Sequence, residues 1–359
     1  MSIHFHPLTI KEIKNETADC ISVKFEVPES LKEIFRFHHG QNITIKASVD
    51  GKEMRRSYSI CSAPYENELR VAIKKKEQGW FSAWAHKNLR PGQTLEVLPP
   101  TGRFYTEVHP DQRKKYIAFA VGSGITPTIS IIKSVLHTEP QSTFTLVYGN
   151  RNSASIIFKE ELEALKNKYM DRFNLVNILS REKTDTPLFC GRINVEKLEQ
   201  LKKIIAWNTA DEIFLCGPEE MIFSIRDYLE QNRIERKKIH FELFTTPDQD
   251  RPAAISQENA REISAAKSLV TVKLDGRAFD FELAFDKESI LDAALAQGLD
   301  LPFSCKGGVC GSCRALLLEG KVDMDANYAL EPEEVAAGYI LTCQSHPRTR
   351  RISVDYDKR

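Results

Sequence analysis

Cys305, Cys310 and Cys313 fall within nine residues, and Cys343 follows the third after 29 more. The spacing, C-x4-C-x2-C and then one distant cysteine, lets thiolates from one loop and one remote segment converge on the irons of a [2Fe–2S] cluster. Gly307, Gly308 and Gly311 let that loop curl tightly and turn amide N–H groups towards the sulfurs, which tunes the reduction potential. Two alternatives stand beside this reading. A structural zinc site usually draws on paired C-x2-C knuckles, of which only one half is present. Unrelated buried thiols would have to cluster between glycines by chance. Cys20, Cys61, Cys190 and Cys216 are scattered through the rest of the chain. A disulfide framework suits small secreted domains. Met1–Ile10 has no basic stretch leading into an apolar core, so the expected location is the cytoplasm.

A second constellation is Arg56-Ser57-Tyr58-Ser59 at the end of a strand-like run, followed by Val71-Ala-Ile73-Lys74 and Gly79-Trp80-Phe81-Ser82. The first resembles the R-x-Y-S motif of the ferredoxin–NADP reductase superfamily. The resemblance implies a flavin, with a task for each side chain. Arg56 would pair with the pyrophosphate by charge-assisted hydrogen bonds. Tyr58 would stack on the isoalloxazine. Ser59 would donate to its N5/O4 edge, where charge changes on reduction. The backbone from Val71 to Lys74 would line the flavin and its ribityl chain. Gly79–Ser82 would open a helix whose first amides meet phosphate. FAD is favoured over FMN because Leu98-Pro-Pro-Thr-Gly-Arg-Phe104-Tyr105 resembles the superfamily's loop for the adenine half. Read without the resemblance, Tyr58 is a half-buried strand tyrosine and Arg56 a solvated charge.

Gly122-Ser-Gly124-Ile-Thr126-Pro127 follows an apolar run and opens a helical one. Glycines there permit close backbone approach, and a helix start favours pyrophosphate. Pro127 replaces the last glycine of the Rossmann fingerprint, a departure that matches the superfamily's G-x-G-I/V-T-P. Cys216-Gly217-Pro218 with Met221 resembles its C-G-P loop at the nicotinamide end, and Phe244 is placed near the flavin. Taken alone, G-x-G is a common strand-to-helix turn and Cys216 a small buried thiol. Ser180-Arg181 resembles the pair that NADPH-using members set against the 2′-phosphate, with Arg151 in support. Arginine suits a phosphate dianion, so NADPH is favoured and NADH stays open. Ser59 and Cys216 lie nearest the hydride path, and no side chain is assigned as acid or base.

These residues need elements to hold them. Before about position 107, short runs at Ile21–Val27, Asn42–Ala47, Arg56–Cys61, Leu69–Lys74 and Thr94–Leu98 alternate with turns. They predict an antiparallel β-barrel with one helix over Phe81–Leu89. From Lys115, strand-like runs (Tyr116–Val121, Thr143–Tyr148, Asn174–Leu179, Glu212–Cys216) alternate with helical ones (Pro127–Leu136, Phe158–Lys168, Val195–Ile204, Glu219–Asn232). That alternation predicts a doubly wound α/β sheet. Residues 246–266 are poor in large apolar side chains and read as a linker. Strands at Leu269–Leu274 and Phe279–Leu283 and a helix at Ser289–Gln297 precede the cysteine loop. The expected domains are therefore 1–110, 111–245 and 267–359, with 246–266 between the last two.

From Leu269 to about Asp357 the sequence resembles the plant-type ferredoxins, through Ser289-Ile-Leu-Asp-Ala-Ala-Leu295, the cysteine spacing, and Glu333, Gly338 and Tyr339 before Cys343. That implies an α+β, β-grasp fold. The order of the three parts resembles the reductase components of bacterial multicomponent oxygenases. Tyr148-Gly-Asn-Arg151, Asp292-Ala-Ala-Leu295, Cys305-Lys-Gly-Gly-Val-Cys310 and Asn327-Tyr-Ala-Leu-Glu-Pro-Glu333 read like the reductase subunits of phenylacetyl-CoA epoxidase complexes. The resemblance implies electrons passing from NADPH through FAD to [2Fe–2S] and on to a partner di-iron oxygenase of phenylacetate catabolism. Service to another oxygenase with NADH, stand-alone turnover of a small molecule, and a redox-sensing role remain the alternatives.

Composition agrees with a globular electron carrier. With 42% apolar residues the chain can bury several cores, and its formal net charge of +0 argues against general affinity for nucleic acid or anionic membrane. Residues 270–359 hold 11 Lys and Arg against 15 Asp and Glu, whereas the remainder holds 39 against 35. Opposite charge on the two portions could support docking within the chain or onto a basic acceptor. The uncharged run Tyr116–Ile132 is too short and too interrupted to span a membrane.

Overall fold

The computed structural model describes residues 4–77, 79–184, 186–244, 267–285 and 287–358. The expected linker, 246–266, lies outside the described residues. Two compact units form, one holding the α/β sheet and the barrel except Arg55–Ser57, the other holding the C-terminal sheets.

The barrel is built from β1 (His6–Thr17), β2 (Cys20–Glu26), β3 (Asn42–Val49), β4 (Lys52–Ser59), β5 (Leu69–Lys74) and β6 (Thr94–Val97), with α1 (Trp80–Asn88) between the last two strands. The order across the sheet is β4-β3-β6-β1-β2-β5. Ile60, just past β4, bridges to Val71 of β5, so the two outer strands meet and the sheet closes. Closure satisfies backbone groups that an open edge would leave to solvent. Side chains alternate as the pleat requires: Ile43, Ile45, Ala47 and Val49 point inward, as do Val71 and Ile73. Helix α1 caps this core with Phe81 and Ala85, one turn apart, and Leu89 just past its end continues the same face. Each large side chain buried this way contributes roughly 1.5–3 kcal/mol. Strand β1 is an addition to the expected elements. Only Leu8 and Ile10 of its 12 residues are buried, so most of its length shows no two-residue alternation to read.

The second layer is a parallel sheet of β7 (Lys115–Val121), β8 (Thr143–Asn150), β9 (Phe173–Leu179), β10 (Glu212–Gly217) and β11 (Ile239–Leu243). Its helices are α2 (Ile125–Thr138), α3 (Lys159–Lys168), α4 (Val195–Leu201) and α5 (Glu219–Gln231). Strand order β11-β10-β7-β8-β9 means that the chain winds outward from β7, then returns to β7's other side as β10. Successive connections therefore leave from opposite sides of β7, and the carboxyl ends of β7 and β10 flank the switch point, where such sheets bind ligands. Tyr116–Ala120 of β7 are all buried, as a strand covered on both faces must be. Helix α4 stops at Leu201 rather than Ile204, and β11 was not among the expected strands.

Barrel and α/β sheet share one core. Phe104 packs edge-on against Phe214 at 5.4 Å, and Ser130 of α2 donates to the Ser62 carbonyl at 2.6 Å. The buried Lys133 ammonium lies 2.8 Å from Glu66 and 2.9 Å from Glu161.

In the C-terminal unit, β12 (Lys267–Leu274), β13 (Arg277–Ala284), β14 (Arg314–Glu319), β16 (Tyr339–Leu341) and β18 (Arg351–Asp355) form a sheet of order β13-β12-β18-β14-β16. The first and last strands, β12 and β18, are parallel neighbours at its centre, as in a β-grasp. Helix α6 (Ile290–Ala296) contributes Ile290, Leu291, Ala293 and Ala294 to the core. A short pair, β15 (Val322–Met324) with β17 (Ser345–Pro347), and helix α7 (Pro332–Ala336) complete the unit.

Candidate functional site

At the switch point two loops touch. After β7, residues Gly122–Gly124 make a single 3₁₀ turn into α2. A Cβ on Gly124 would stand 2.0 Å from the Cys216 carbonyl oxygen at the end of β10, so only glycine allows this approach. Thr126 donates to the Ser123 carbonyl at 3.0 Å, and Tyr148 of β8 donates to the Gly122 carbonyl at 2.9 Å. Pro127 occupies the first turn of α2, where its missing N–H has no partner to lose. Across the crevice, Gly217 and Pro218 lead into α5, and Met221 packs beneath Gly217.

The barrel meets the same place through β4. Ser59 is buried and donates to a carboxylate oxygen of Glu242 at 2.9 Å. Glu242 lies on β11, in register with Cys216 of β10. Burial first, and then the charge of Glu242, pushes the Cys216 thiol well above its ordinary pKa, so it stays neutral. Ser59, Cys216 and Glu242 thus come together from three strands and two layers. Sequence reasoning missed Glu242. It stands inside Phe241-Glu-Leu-Phe244, and only recognition of β11 as a strand beside β10 could have found it.

The other expected flavin residues divide by exposure. Arg56, Ser57 and Tyr58 are half-buried on β4, with the Tyr58 ring 5.8 Å from Phe81. Val71 and Ile73 point wholly into the barrel core, which leaves only their backbone to line a cofactor. Phe81 is likewise a core residue, whereas Trp80 is 61% exposed at the start of α1. Ser82 accepts from the Lys76 amide at 3.1 Å and donates to the Gly79 carbonyl at 3.0 Å, fixing that start. Lys74 reaches out of the barrel: its ammonium is 3.6 Å from where a Gly122 Cβ would be, and 3.7 Å from Asp19. The structure therefore sets Lys74 beside the glycine loop as well as on the flavin strand. Phe244 is partly buried against the shared core.

Arg151, Ser180 and Arg181 stand at the carboxyl ends of β8 and β9. The Ser180 amide donates to the Asn150 carbonyl at 2.9 Å and the Arg181 amide to the Arg151 carbonyl at 2.7 Å. Two guanidinium groups and a hydroxyl thereby share one edge of the sheet, a pattern suited to a phosphate dianion.

In the C-terminal unit all four expected cluster cysteines are buried. Pairing of β14 with β16, Arg314 opposite Leu341, carries the remote Cys343 to the loop. Thr342 ties it there, with its amide donating to the Cys313 carbonyl at 3.2 Å and its hydroxyl to the same oxygen at 3.0 Å. The loop itself is braced by Lys306, which lies 2.7 Å from Asp292 of α6, and by Gln344, which donates to the Lys306 carbonyl at 2.7 Å. Gly308 has φ +77°, and a Cβ there would come within 2.7 Å of the Ala326 carbonyl. The Gly307 amide donates to the Cys305 sulfur at 3.3 Å.

The thiols act on one another. Its hydrogen bond with Cys310, then burial, pushes Cys305 well above the usual thiol range. The same bond, helped by the Ser312 hydroxyl and amide against the effect of burial, holds Cys310 down to about 6. Its bond with Cys343, then burial, pushes Cys313 well up. Four soft donors within electrostatic reach of each other, shielded from water and served by a backbone amide, fit an iron–sulfur cluster, whose positive iron relieves their mutual repulsion as thiolates.

Comparison with known proteins supports each part. The oxidoreductase FAD-binding domain model matches residues 7–105, the oxidoreductase NAD-binding domain model 119–227, and the 2Fe-2S iron-sulfur cluster binding domain model 272–348. The chain is 45% identical to a component of the 1,2-phenylacetyl-CoA epoxidase of Escherichia coli (strain K12), over 98% of each chain. It is 36% identical to the ferredoxin reductase component of 3-ketosteroid-9-alpha-monooxygenase of Rhodococcus rhodochrous, over 97% of this chain and 96% of that one. Among solved structures, phthalate dioxygenase reductase, described as a modular structure for electron transfer from pyridine nucleotides to [2Fe–2S], superposes with a TM-score of 0.59 over 98% of each chain at 23% identity. No helix among the described residues is long and apolar enough to cross a membrane. The chain belongs to the family of oxygenase reductases that join FAD-binding, NAD-binding and [2Fe–2S] domains in one polypeptide, and it is an oxidoreductase.

Proposed function

We propose that the chain takes hydride from NADPH at the crevice between β7 and β10 and delivers electrons to the di-iron oxygenase of a phenylacetyl-CoA epoxidase. The observation that carries the electron path is the meeting of Ser59, Glu242 and Cys216 where the glycine loop closes on β10. When bound, FAD accepts an electron pair from the nicotinamide and hands on single electrons, which the [2Fe–2S] cluster relays. The chain's own residues position and shield. Cys216, neutral and buried, floors the nicotinamide side without adding charge. Ser59, whose one proton goes to Glu242, presents a fixed hydroxyl oxygen beside the flavin strand, and donation to the flavin edge would require that proton to turn away from Glu242. Arg56 and the start of α1 take the flavin phosphates, and the start of α2 takes those of the nicotinamide nucleotide. Arg151, Ser180 and Arg181 grip its 2′-phosphate, which is the reason to favour NADPH. Cys305, Cys310, Cys313 and Cys343 hold the cluster. We divide the chain accordingly into 1–110, 111–245 and 267–359, joined through 246–266. The cytoplasm, where reduced nicotinamide is made, is the proposed location.

The acceptor assignment follows the name of the 45%-identical relative. Mixing the protein with purified phenylacetyl-CoA epoxidase oxygenase components, NADPH, oxygen and phenylacetyl-CoA tests it. NADPH oxidation should accelerate only when oxygenase and thioester are both present, with epoxide formed in step. Oxidation indifferent to the oxygenase would sink the partner, and equal rates with NADH would sink the coenzyme preference.

A further inference from the structure

The C-terminal core of Val270, Val272, Ile290, Leu291 and Val354 also takes in Tyr356, the residue after β18. Tyr356 is 1% exposed and Thr342 0%, and their hydroxyl oxygens lie 2.6 Å apart. The Thr342 hydroxyl is also 3.0 Å from the Cys313 carbonyl oxygen. A carbonyl only accepts, so the single Thr342 proton goes to Cys313 and Tyr356 donates to Thr342. The result is a directed chain of two bonds, from Tyr356 to Thr342 to Cys313, with water shut out at both hydroxyls. A hydroxyl carried into an apolar core costs free energy unless it is bonded. Phenylalanine would fill the same space without that cost, so packing alone does not account for the tyrosine.

The bonds converge on Thr342. Its amide donates to the same Cys313 carbonyl at 3.2 Å, its own carbonyl accepts from the Leu291 amide of α6 at 3.1 Å, and Cys343 follows it in the chain. The separation between Cys313 on the loop and Cys343 on the remote segment is therefore set at Thr342. Tyr356 is fixed in turn, its amide donating to the Lys273 carbonyl of β12 at 2.9 Å. The central parallel pair of the sheet, β12 with β18, thus reaches the cysteines through one phenol.

We propose that Tyr356 is a positioning residue for the [2Fe–2S] cluster: acting through Thr342, it holds Cys313 and Cys343 at the spacing that iron requires and aims two O–H dipoles at the Cys313 backbone. The proposal rests on the four cysteines being the cluster ligands. Groups one step out from metal ligands orient them, and losing one typically weakens the hold on metal about 10- to 100-fold. The positive ends of both dipoles point towards Cys313, which favours the reduced, more negative cluster.

The test compares the flavin- and cluster-loaded parent with Tyr356→Phe, Thr342→Val, Thr342→Ser and the Tyr356→Phe/Thr342→Val double variant. Iron released to excess EDTA is timed, and the cluster's reduction potential is read by anaerobic titration with electron paramagnetic resonance detection. Tyr356→Phe should release iron at least about 10-fold faster. It should also titrate at a lower potential, a shift that a purely packing role would not produce. Thr342→Ser, which keeps the hydroxyl, should stay near the parent in both. Because one chain of bonds carries both effects, the double variant should lose little more than Thr342→Val alone. Parent-like iron release and potential in Tyr356→Phe, or effects of the two substitutions that add, would overturn the proposal. A parent that binds no [2Fe–2S] cluster would overturn the ligand assignment and the proposal together.

Discussion

At the residue scale, the weight falls on Ser59 and its partner. The hydroxyl donates at 2.9 Å to Glu242, which fixes where it sits relative to Cys216. Replacing Ser59 by alanine should lower the rate constant for NADPH-driven flavin reduction by up to about 100-fold, the scale on which a small misplacement of reacting groups costs rate. The KM for NADPH should stay nearly constant, because Ser59 ends a barrel strand whereas the expected phosphate-binding residues follow β8 and β9 of the parallel sheet. Single-turnover absorbance under anaerobic conditions measures both; an unaltered rate would remove Ser59 from the hydride path. The sequence shows Ser59 because it ends a four-residue motif, and it shows Cys305, Cys310 and Cys313 because their spacing is a local property of one loop, whereas Cys343, after 29 more residues, is picked out by the ferredoxin pattern and not by local spacing. It hides Glu242, whose role comes from a register between β10 and β11 that no short-range pattern encodes. It also hides how β5 divides its atoms, since Val71 and Ile73 turn their side chains into the barrel core and keep only backbone for the expected cofactor face.

At the scale of elements, close approach and burial decide. Gly124→Ala would drive a methyl into the Cys216 carbonyl, with 2.0 Å available. Relieving that clash must move β10 or the start of α2, at a cost of about 2–4 kcal/mol. Thermal unfolding should report the loss, and an unchanged melting temperature would contradict the packing described. The loop before β3 carries a pH dependence. His39 is buried, and desolvation holds its pKa at about 4 against an ordinary 6.5, partly offset by a bond to the Thr106 backbone. Between these two values the unfolded chain binds the proton and the folded chain does not, so stability rises with pH across that window and falls as pH drops from 6.5 towards 4. The full effect is of the order of 3 kcal/mol. His39→Phe should flatten the pH dependence of the denaturant midpoint there; a slope as steep as in the parent would contradict the assignment. Elements with clean periodicity were legible: β3 and β5 start where the apolar pattern starts, and β7 reads as one continuous apolar run. Strand β1 was not, because only two of its twelve side chains are buried and they leave no sustained alternation. Strands β15, β16 and β17 have three residues each, too few for any period to show.

At the scale of the whole molecule, the chemistry depends on barrel and α/β sheet being one unit, since Ser59 comes from one and Cys216 and Glu242 from the other. Lys133 helps to hold that seam, paired with Glu66 on the barrel side and Glu161 on α3. Lys133→Met would leave both carboxylates without their shared cation, and unfolding by denaturant should show a loss of about 3 kcal/mol, the scale for breaking a buried pair from one side. A variant as stable as the parent would mean that apolar contacts alone, such as Phe104 on Phe214, secure the seam. The three-part order was legible in the sequence because each part carries its own motif, whereas the shared core of the first two was not, being made of residues far apart in the chain. The central claim is a single path from nicotinamide through flavin to the cluster of the same chain. The most direct measurement is an anaerobic titration of the flavin- and cluster-loaded protein with NADPH, followed by visible absorbance and by electron paramagnetic resonance. Both flavin and cluster bands should bleach, with a reduced [2Fe–2S] signal that is absent from a Cys313→Ser protein whose flavin still bleaches. A cluster that stays oxidised while the flavin is fully reduced would contradict the account.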